Sequence, residues 1–315
     1  MAEYQKKLEV ARLMLRDIGH PFCEFYYFLK TYPFITENFA GCVPLFDFKD
    51  KSFLTVGSSG DQVINAAYFG SVDQTVIDIN PFTEFYFYLK KAGLQALTRQ
   101  EFMDYFCYRS YLPKCVNNPN VFNLDSFEKM QPLLKDFDSD SYAFWSELFN
   151  QYSTREIREN IFSMDEDQSQ VIMQMNPYLK SDKAYLATRA AIKDLTPKFI
   201  EGNIYEYNDF ESYDNIHLSN LAQYKIKDEA GAIEYKSFVE KMESHLNLNG
   251  TMLIAYIFNF DTFFPDCNET YDEYLLLEVF IHYTNDFITL SSSTDFLLQN
   301  NCDPDSVLVY RKMIK

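Results

Sequence analysis

Ser52-Phe53-Leu54-Thr55-Val56-Gly57-Ser58-Ser59-Gly60-Asp61, followed by Val76-Ile77-Asp78-Ile79-Asn80-Pro81, is the stretch on which the fold turns. Ser52–Val56 is a short apolar run of strand-forming character, ended by a glycine-bearing turn. Val63, Ile64, Ala67 and Tyr68 then recur at helical spacing up to Gly70. Gln74–Ile79 reads as a second strand stopped by Asn80-Pro81, and Pro81 suits the opening of a helix over Phe82–Leu94. Strand, glycine turn, helix, strand and helix within 45 residues is a βαβ unit by pattern.

In an open parallel sheet, ligands bind beyond the carboxyl ends of the strands. The turn at Gly57–Gly60 occupies that position after the first strand, where glycine lets the backbone approach a ligand or take positive φ. Asp78 ends the second strand 21 residues after Gly57, the usual separation for a carboxylate that grips a ribose hydroxyl pair. The plainer reading is a tight turn and a helix-capping aspartate. A dinucleotide fingerprint would need glycine where Ser59 and Gln62 stand, and the Gly-Lys-Ser/Thr of a phosphate loop is absent. A looser G-x-x-G turn that holds no pyrophosphate fits better, which disfavours an NAD-dependent oxidoreductase.

Outward from this unit the α/β rhythm breaks and returns. Leu8, Ala11, Leu15 and Ile18 form one helical stripe in a cap over residues 1–50. Between Gly93 and Gly202 there is no glycine, and Thr98…Glu101 and Ser153…Glu156 both have capping-box spacing. Residues 98–180 are therefore expected to be a helical insertion. Its aromatic residues, among them Tyr105, Phe106, Tyr108, Tyr111, Phe144, Trp145 and Phe149, read first as a core stripe and second as an acceptor pocket or lid. Lys183–Leu195 is expected to be helical, Lys198–Ile204 a third strand with its exit turn, and Tyr213–Ser219 a fourth. A helix over Ala232–Leu246 and a turn at Asn247–Gly250 precede Thr251–Ile257, whose unbroken apolarity marks a central strand. Phe287–Leu290 and Val307–Tyr310 read as the last strands.

Composition excludes some partners. The 46 acidic and 28 basic residues leave a formal charge of −18, and the densest basic stretches are pairs such as Lys6-Lys7 and Arg311-Lys312. Phosphate backbones and anionic lipid surfaces repel such a chain, so neither nucleic acid nor stable membrane association is expected. Six cysteines without a C-x-x-C pair argue for free thiols rather than a zinc knuckle or a disulfide framework. His20, His245 and His282 show no spacing that suggests a metal site. With no apolar leader after Met1 and no long uncharged apolar run, the chain reads as soluble and cytoplasmic.

Leu54–Asp61 and Val76–Pro81 resemble the class I S-adenosylmethionine-dependent transferases. More narrowly, the chain is similar to the family of diacylglycerol aminocarboxypropyl transferases of betaine-lipid synthesis and related methyltransferase-like proteins. The run Leu89-Lys90-Lys91-Ala92-Gly93-Leu94-Gln95-Ala96-Leu97-Thr98-Arg99-Gln100-Glu101-Phe102 and the ending Ile216-His217-Leu218-Ser219-Asn220 carry that likeness, which spans residues 50–105 and 198–260.

The resemblance implies a Rossmann-like methyltransferase sheet of about seven strands, the last one antiparallel. The sheet would be split between residues 51–97 and 181–315 by the insertion. It implies S-adenosylmethionine as cofactor, with Gly57, Ser58, Ser59, Gly60 and Asp61 at its methionine end, Asp78 on the ribose, and Ile79 and Asn80 beside the adenine. Gly202, Asn203 and Ile204 fall at the adenine amino group. Asn203 departs from the common aspartate, yet its amide oxygen accepts the same hydrogen bond.

Ser219 and Asn220 would face the sulfonium and an acceptor, with a turn as the equal alternative for Ser219 and for Asn203. His217 and Tyr224 are candidate bases. His217 alternates with Ile216 and Leu218 and reads first as a histidine buried in the sheet. The expected reaction is methyl transfer to a small-molecule acceptor, with aminocarboxypropyl transfer and a non-catalytic nucleoside-binding module as alternatives.

Overall fold

The computed structural model describes residues 3–16, 30–35, 37, 39–57, 59–107, 120–162, 172–225, 229–257, 286–289 and 306–312. Among these, the strands are β1 (Ser52–Val56), β2 (Asp73–Asp78), β3 (Lys198–Glu201), β4 (Tyr213–His217), β5 (Leu246–Ile257), β6 (Asp286–Thr289) and β7 (Ser306–Arg311). They form a seven-stranded sheet in the order β3-β2-β1-β4-β5-β7-β6. β1 pairs with β4, and β4 with β5, in parallel, whereas β7 runs antiparallel to both β5 and β6. A parallel sheet that turns back on itself at its first strand and takes a late antiparallel strand between β5 and β6 is the Rossmann-like methyltransferase arrangement expected above.

The chain divides into two compact units. One comprises Met1–Thr36, Gly57–Tyr68 and Ile77–Gly202, and the other Glu37–Val56, Phe69–Val76 and Asn203–Lys315.

In the first unit, helices α1 (Glu3–Arg16), α3 (Asp61–Tyr68), α4 (Thr83–Ala96), α5 (Arg99–Phe106), α6 (Leu124–Phe137), α7 (Ser139–Gln151), α8 (Thr154–Ile161), α9 (Ile172–Met175) and α10 (Asp182–Ile192) surround an aromatic core; α2 (Phe39–Cys42) belongs to the second unit. Both capping boxes form: Thr98 and Ser153 each accept from the backbone amide of a glutamate three residues on, which returns the bond. α4 is buried nearly all round and packs against α6, α7 and α10. The aromatic residues of the insertion are core. Tyr105, Phe106, Phe144 and Trp145 have no solvent exposure, and the Trp145 indole donates to the Phe85 carbonyl at 2.9 Å. Tyr108 and Tyr111 lie outside the described residues.

In the second unit β4 is covered on both faces, for Asn215, Ile216, His217 and Leu218 are all buried. α11 (Leu221–Lys225) follows the turn after β4, and α12 (Glu229–Ser244) leads into β5. The expected turn at Asn247–Gly250 is instead part of β5. Tyr213 pairs with Leu246 and Asn215 with Thr251, so two steps on β4 meet five on β5 and the intervening residues bulge. Asn249 takes φ +64°, and a Cβ on Gly250 would lie 2.8 Å from two backbone carbonyls. Asparagine and glycine serve the bulge as they would have served a turn. Among the described residues no helix is long and apolar enough to cross a membrane.

Candidate functional site

The first unit brings the glycine turn and Asp78 together. Gly57 follows β1, and its amide donates to the Ile77 carbonyl at 3.1 Å, which fixes it beside the end of β2. A Cβ at Gly57 would sit 2.6 Å from Asp78 Oδ2 and 2.5 Å from the Thr83 methyl. Glycine is needed here because the Asp78 side chain lies directly against its Cα. Asp78 Oδ1 accepts the Asn80 amide at 2.9 Å, and Asn80 Oδ1 accepts the Phe82 amide at 2.9 Å, so one asparagine orients the carboxylate and opens α4. Asn80 is buried, and Ile79 is 56% exposed.

A cleft lies beside Asp78, lined by Asn80, Thr83, Glu84, Glu201 and Lys7 among others. The Lys7 ammonium is 3.3 Å from Glu201 and 4.6 Å from the centre of the Phe85 ring. The Gly202 amide donates to the Asp78 carbonyl at 2.8 Å, and an added Cβ there would meet nothing within 4 Å. Gly202 thus serves through its backbone, unlike Gly57.

Ser59 and Asp61 are fully buried, and Gly60 between them takes φ +77°. The Asp61 carboxylate accepts from four protein donors. Oδ2 takes the Ile35 amide at 2.6 Å and the Ser59 hydroxyl at 2.9 Å; Oδ1 takes the Lys90 ammonium at 2.7 Å and the Tyr178 hydroxyl at 2.8 Å. Ser58 lies outside the described residues.

The remaining candidates belong to the second unit. Asn203 accepts the Tyr205 amide at 3.1 Å and donates to Glu206 at 2.9 Å, so its side chain closes its own turn, and Ile204 beside it is buried. His217 has no exposure. Its Nε2 lies 3.3 Å from Glu37 Oε2, its Nδ1 3.4 Å from the Thr55 hydroxyl, and the rings of Phe39 and Phe46 meet it edge-on. Burial pushes the imidazole down to about 3, so it is neutral at ordinary pH. Ser219 adopts φ +52° and its hydroxyl donates to Glu37 Oε1. Asn220 is half-buried, its Oδ1 3.4 Å from the Ser219 hydroxyl, and Tyr224 is 59% exposed. His217, Ser219 and Glu37 therefore form one cluster.

Sequence reasoning missed Glu37, Lys90 and Tyr178 as partners of these candidates. Lys90 did carry a signal: it stands in a helix between Phe85-Tyr86-Phe87-Tyr88-Leu89 and a second apolar stretch, where a solvated lysine is out of place. Glu37 carried none. Among the described residues no group of acidic, histidine and cysteine side chains has metal-binding geometry, and Cys42 and Cys107 are buried free thiols.

Sheet order and the glycine–aspartate contact at the ends of β1 and β2 define a chain with the Rossmann-like methyltransferase fold. No protein-family model and no curated protein matches it. Similar solved structures include the N-methyltransferase NodS from Bradyrhizobium japonicum WM9, with 8% identity over 84% of this chain and 86% of that one and a TM-score of 0.34. An S-adenosylmethionine-dependent methyltransferase from Methanosarcina mazei shares 11% identity over 85% and 94%, with a TM-score of 0.35. YjhP from E. coli shares 12% over 88% and 92%, also at 0.35. Identities and scores of this size identify neither an activity nor an acceptor.

Proposed function

We propose that the chain binds S-adenosylmethionine at the glycine turn and Asp78 and transfers its methyl group to a small-molecule acceptor. The observation that carries the reading is the Gly57–Asp78 contact, where a Cβ would lie 2.6 Å from the carboxylate. It leaves a bare backbone and an oriented carboxylate side by side at strand ends, which suits a ribose with both hydroxyls free. Around the cleft the carboxylates of Asp78, Glu84 and Glu201 outnumber the single Lys7 ammonium, which lies against two of them, and this net negative balance favours a cationic nucleoside over a phosphorylated one.

In this reading Asp78 holds the ribose, Gly57 and Gly60 line the donor, and Asn80 keeps the carboxylate aimed. Once bound, the donor supplies an electrophilic methyl carbon: its S–CH3 bond breaks as the acceptor–CH3 bond forms, leaving neutral S-adenosylhomocysteine. Such displacement depends mainly on in-line positioning. Any proton the acceptor releases needs a base, and His217, neutral but sealed, does not meet that need by itself. Acceptor recognition is assigned to residues 98–180, and no nucleic-acid partner is assigned.

Calorimetric titration with S-adenosylhomocysteine tests the reading. Wild-type protein is expected to bind in the micromolar range, and Asp78→Ala to lose at least about tenfold, some 1.4 kcal/mol. Folded protein that binds neither S-adenosylhomocysteine nor S-adenosylmethionine would overturn it. Analysis of turnover products then separates methyl transfer, which releases S-adenosylhomocysteine, from aminocarboxypropyl transfer, which releases methylthioadenosine.

A further inference from the structure

The Asp61–Lys90 pair in the first unit is more elaborate than stability requires. Both side chains are fully buried, and Lys90 also lies over Phe34 at 4.2 Å and Tyr86 at 5.2 Å. Desolvation of two charges is costly, and a buried ion pair can often be replaced by apolar residues without loss of stability. What such a pair does supply is one fixed arrangement. Here the fixed parts are identifiable. Asp61 opens α3 directly after Gly60, and its carboxylate holds the Ser59 hydroxyl of the glycine turn. Its other partners are the Ile35 amide, Tyr178 and Lys90. Lys90 projects from α4, the helix whose first residue, Thr83, touches the space beside Gly57. The pair therefore ties the turn after β1 to the helix that begins just beyond Asp78.

We propose that Asp61 and Lys90 are positioning residues, which set the glycine turn against Asp78 and thereby set donor affinity without touching the donor. The inference rests on the donor-site reading for its effect on affinity, but its mechanical part does not. All four acceptor positions on the carboxylate are taken by protein donors, and neither residue has exposed surface. A donor ammonium or carboxylate would have no way to reach them. The rigidity of the turn matters because Gly57 has no slack: its Cα already rests on the Asp78 side chain.

The test uses the charge-free double variant Asp61→Asn, Lys90→Met, in which the asparagine oxygen can still accept from Ile35 and Ser59. Three quantities are read: melting temperature, S-adenosylhomocysteine affinity and amide exchange across residues 57–61. The double variant is expected to stay folded, with exchange in the turn at least about tenfold faster relative to β1 and α4. Its affinity should fall about tenfold or more. Should it fail to fold, Tyr178→Phe removes one of the four donors and keeps both charges, and is expected to weaken binding about two- to fivefold. A folded variant with wild-type exchange and wild-type affinity overturns the inference. If wild-type protein binds no donor while turn exchange still rises in the variant, the donor reading fails and the positioning role stands.

Discussion

Among the described residues each unit buries one carboxylate among polar partners, and the two are built differently. Asp61 in the first unit is matched by a lysine at 2.7 Å and three neutral donors. Glu37 in the second meets the Ser219 hydroxyl and, at 3.3 Å, the Nε2 of a histidine held neutral by burial. A paired charge in a sealed site fixes geometry and is costly to unpair. The Ser219 hydroxyl bond to Glu37 is one that a neutral isostere can imitate. The turn at Ser59–Gly60 should thus depend on charge balance and the turn at Ser219–Asn220 on shape.

The contrast predicts its largest effect for single substitutions. Lys90→Met leaves Asp61 charged, buried and without its cation, and should cost about 3–5 kcal/mol. Glu37→Gln keeps an acceptor for Ser219 and should cost about 1 kcal/mol. Denaturant melts of the two variants check this, and comparable losses would break the distinction.

The next effect separates the units by pH. The folded-state pKa of His217, about 3, lies below its unfolded value near 6.5. The unfolded chain therefore takes up the proton first, and stability present above pH 6.5 is lost as pH falls toward 3. The slope is about 1.4 kcal/mol per pH unit, or about 2 kcal/mol between pH 6.5 and 5. His217→Gln should be less stable near neutrality and much flatter across that window. Melts from pH 7 to 5 decide it; a variant as steep as wild type would assign the acid sensitivity elsewhere.

How much of this was legible depends on how far apart the partners lie. β1 shows in the sequence because Phe53 and Leu54 stand together in a run ended by a glycine turn, and β7 because Val307–Tyr310 is unbroken; β7 pairs with β5 as expected of a late antiparallel strand. Both capping boxes are local, three residues from end to end, and both form. Asn247–Gly250 was misread because a β-bulge draws on the same residues as a turn, and only the β4 pairing tells them apart. Gly57 and Asp78 were legible as a spacing, but their contact was not. Asp61 looked like a ligand contact because Lys90, its cation, and Tyr178, a further donor, are 29 and 117 residues away in sequence. Glu37 was invisible because Ser219, which gives it a role, is 182 residues distant.

The smallest effect concerns backbone strain in the two turns. Gly60 at φ +77° and Ser219 at φ +52° both occupy left-handed backbone, but only the first is glycine. Gly60→Ala puts a Cβ into that conformation and 3.4 Å from Phe87, a loss of about 1–2 kcal/mol. Ser219→Gly relieves left-handed strain but gives up the hydroxyl bond to Glu37, two terms of about 1 kcal/mol with opposite sign, so its net change should be near zero. Ser219→Ala loses the bond and keeps the strain, and should be less stable than Ser219→Gly by about 1 kcal/mol. Thermal melts of the Gly and Ala variants at position 219 isolate that difference. Both variants lack the hydroxyl, so equal stabilities would mean that left-handed backbone at position 219 carries no cost, and the contrast with Gly60 would be lost.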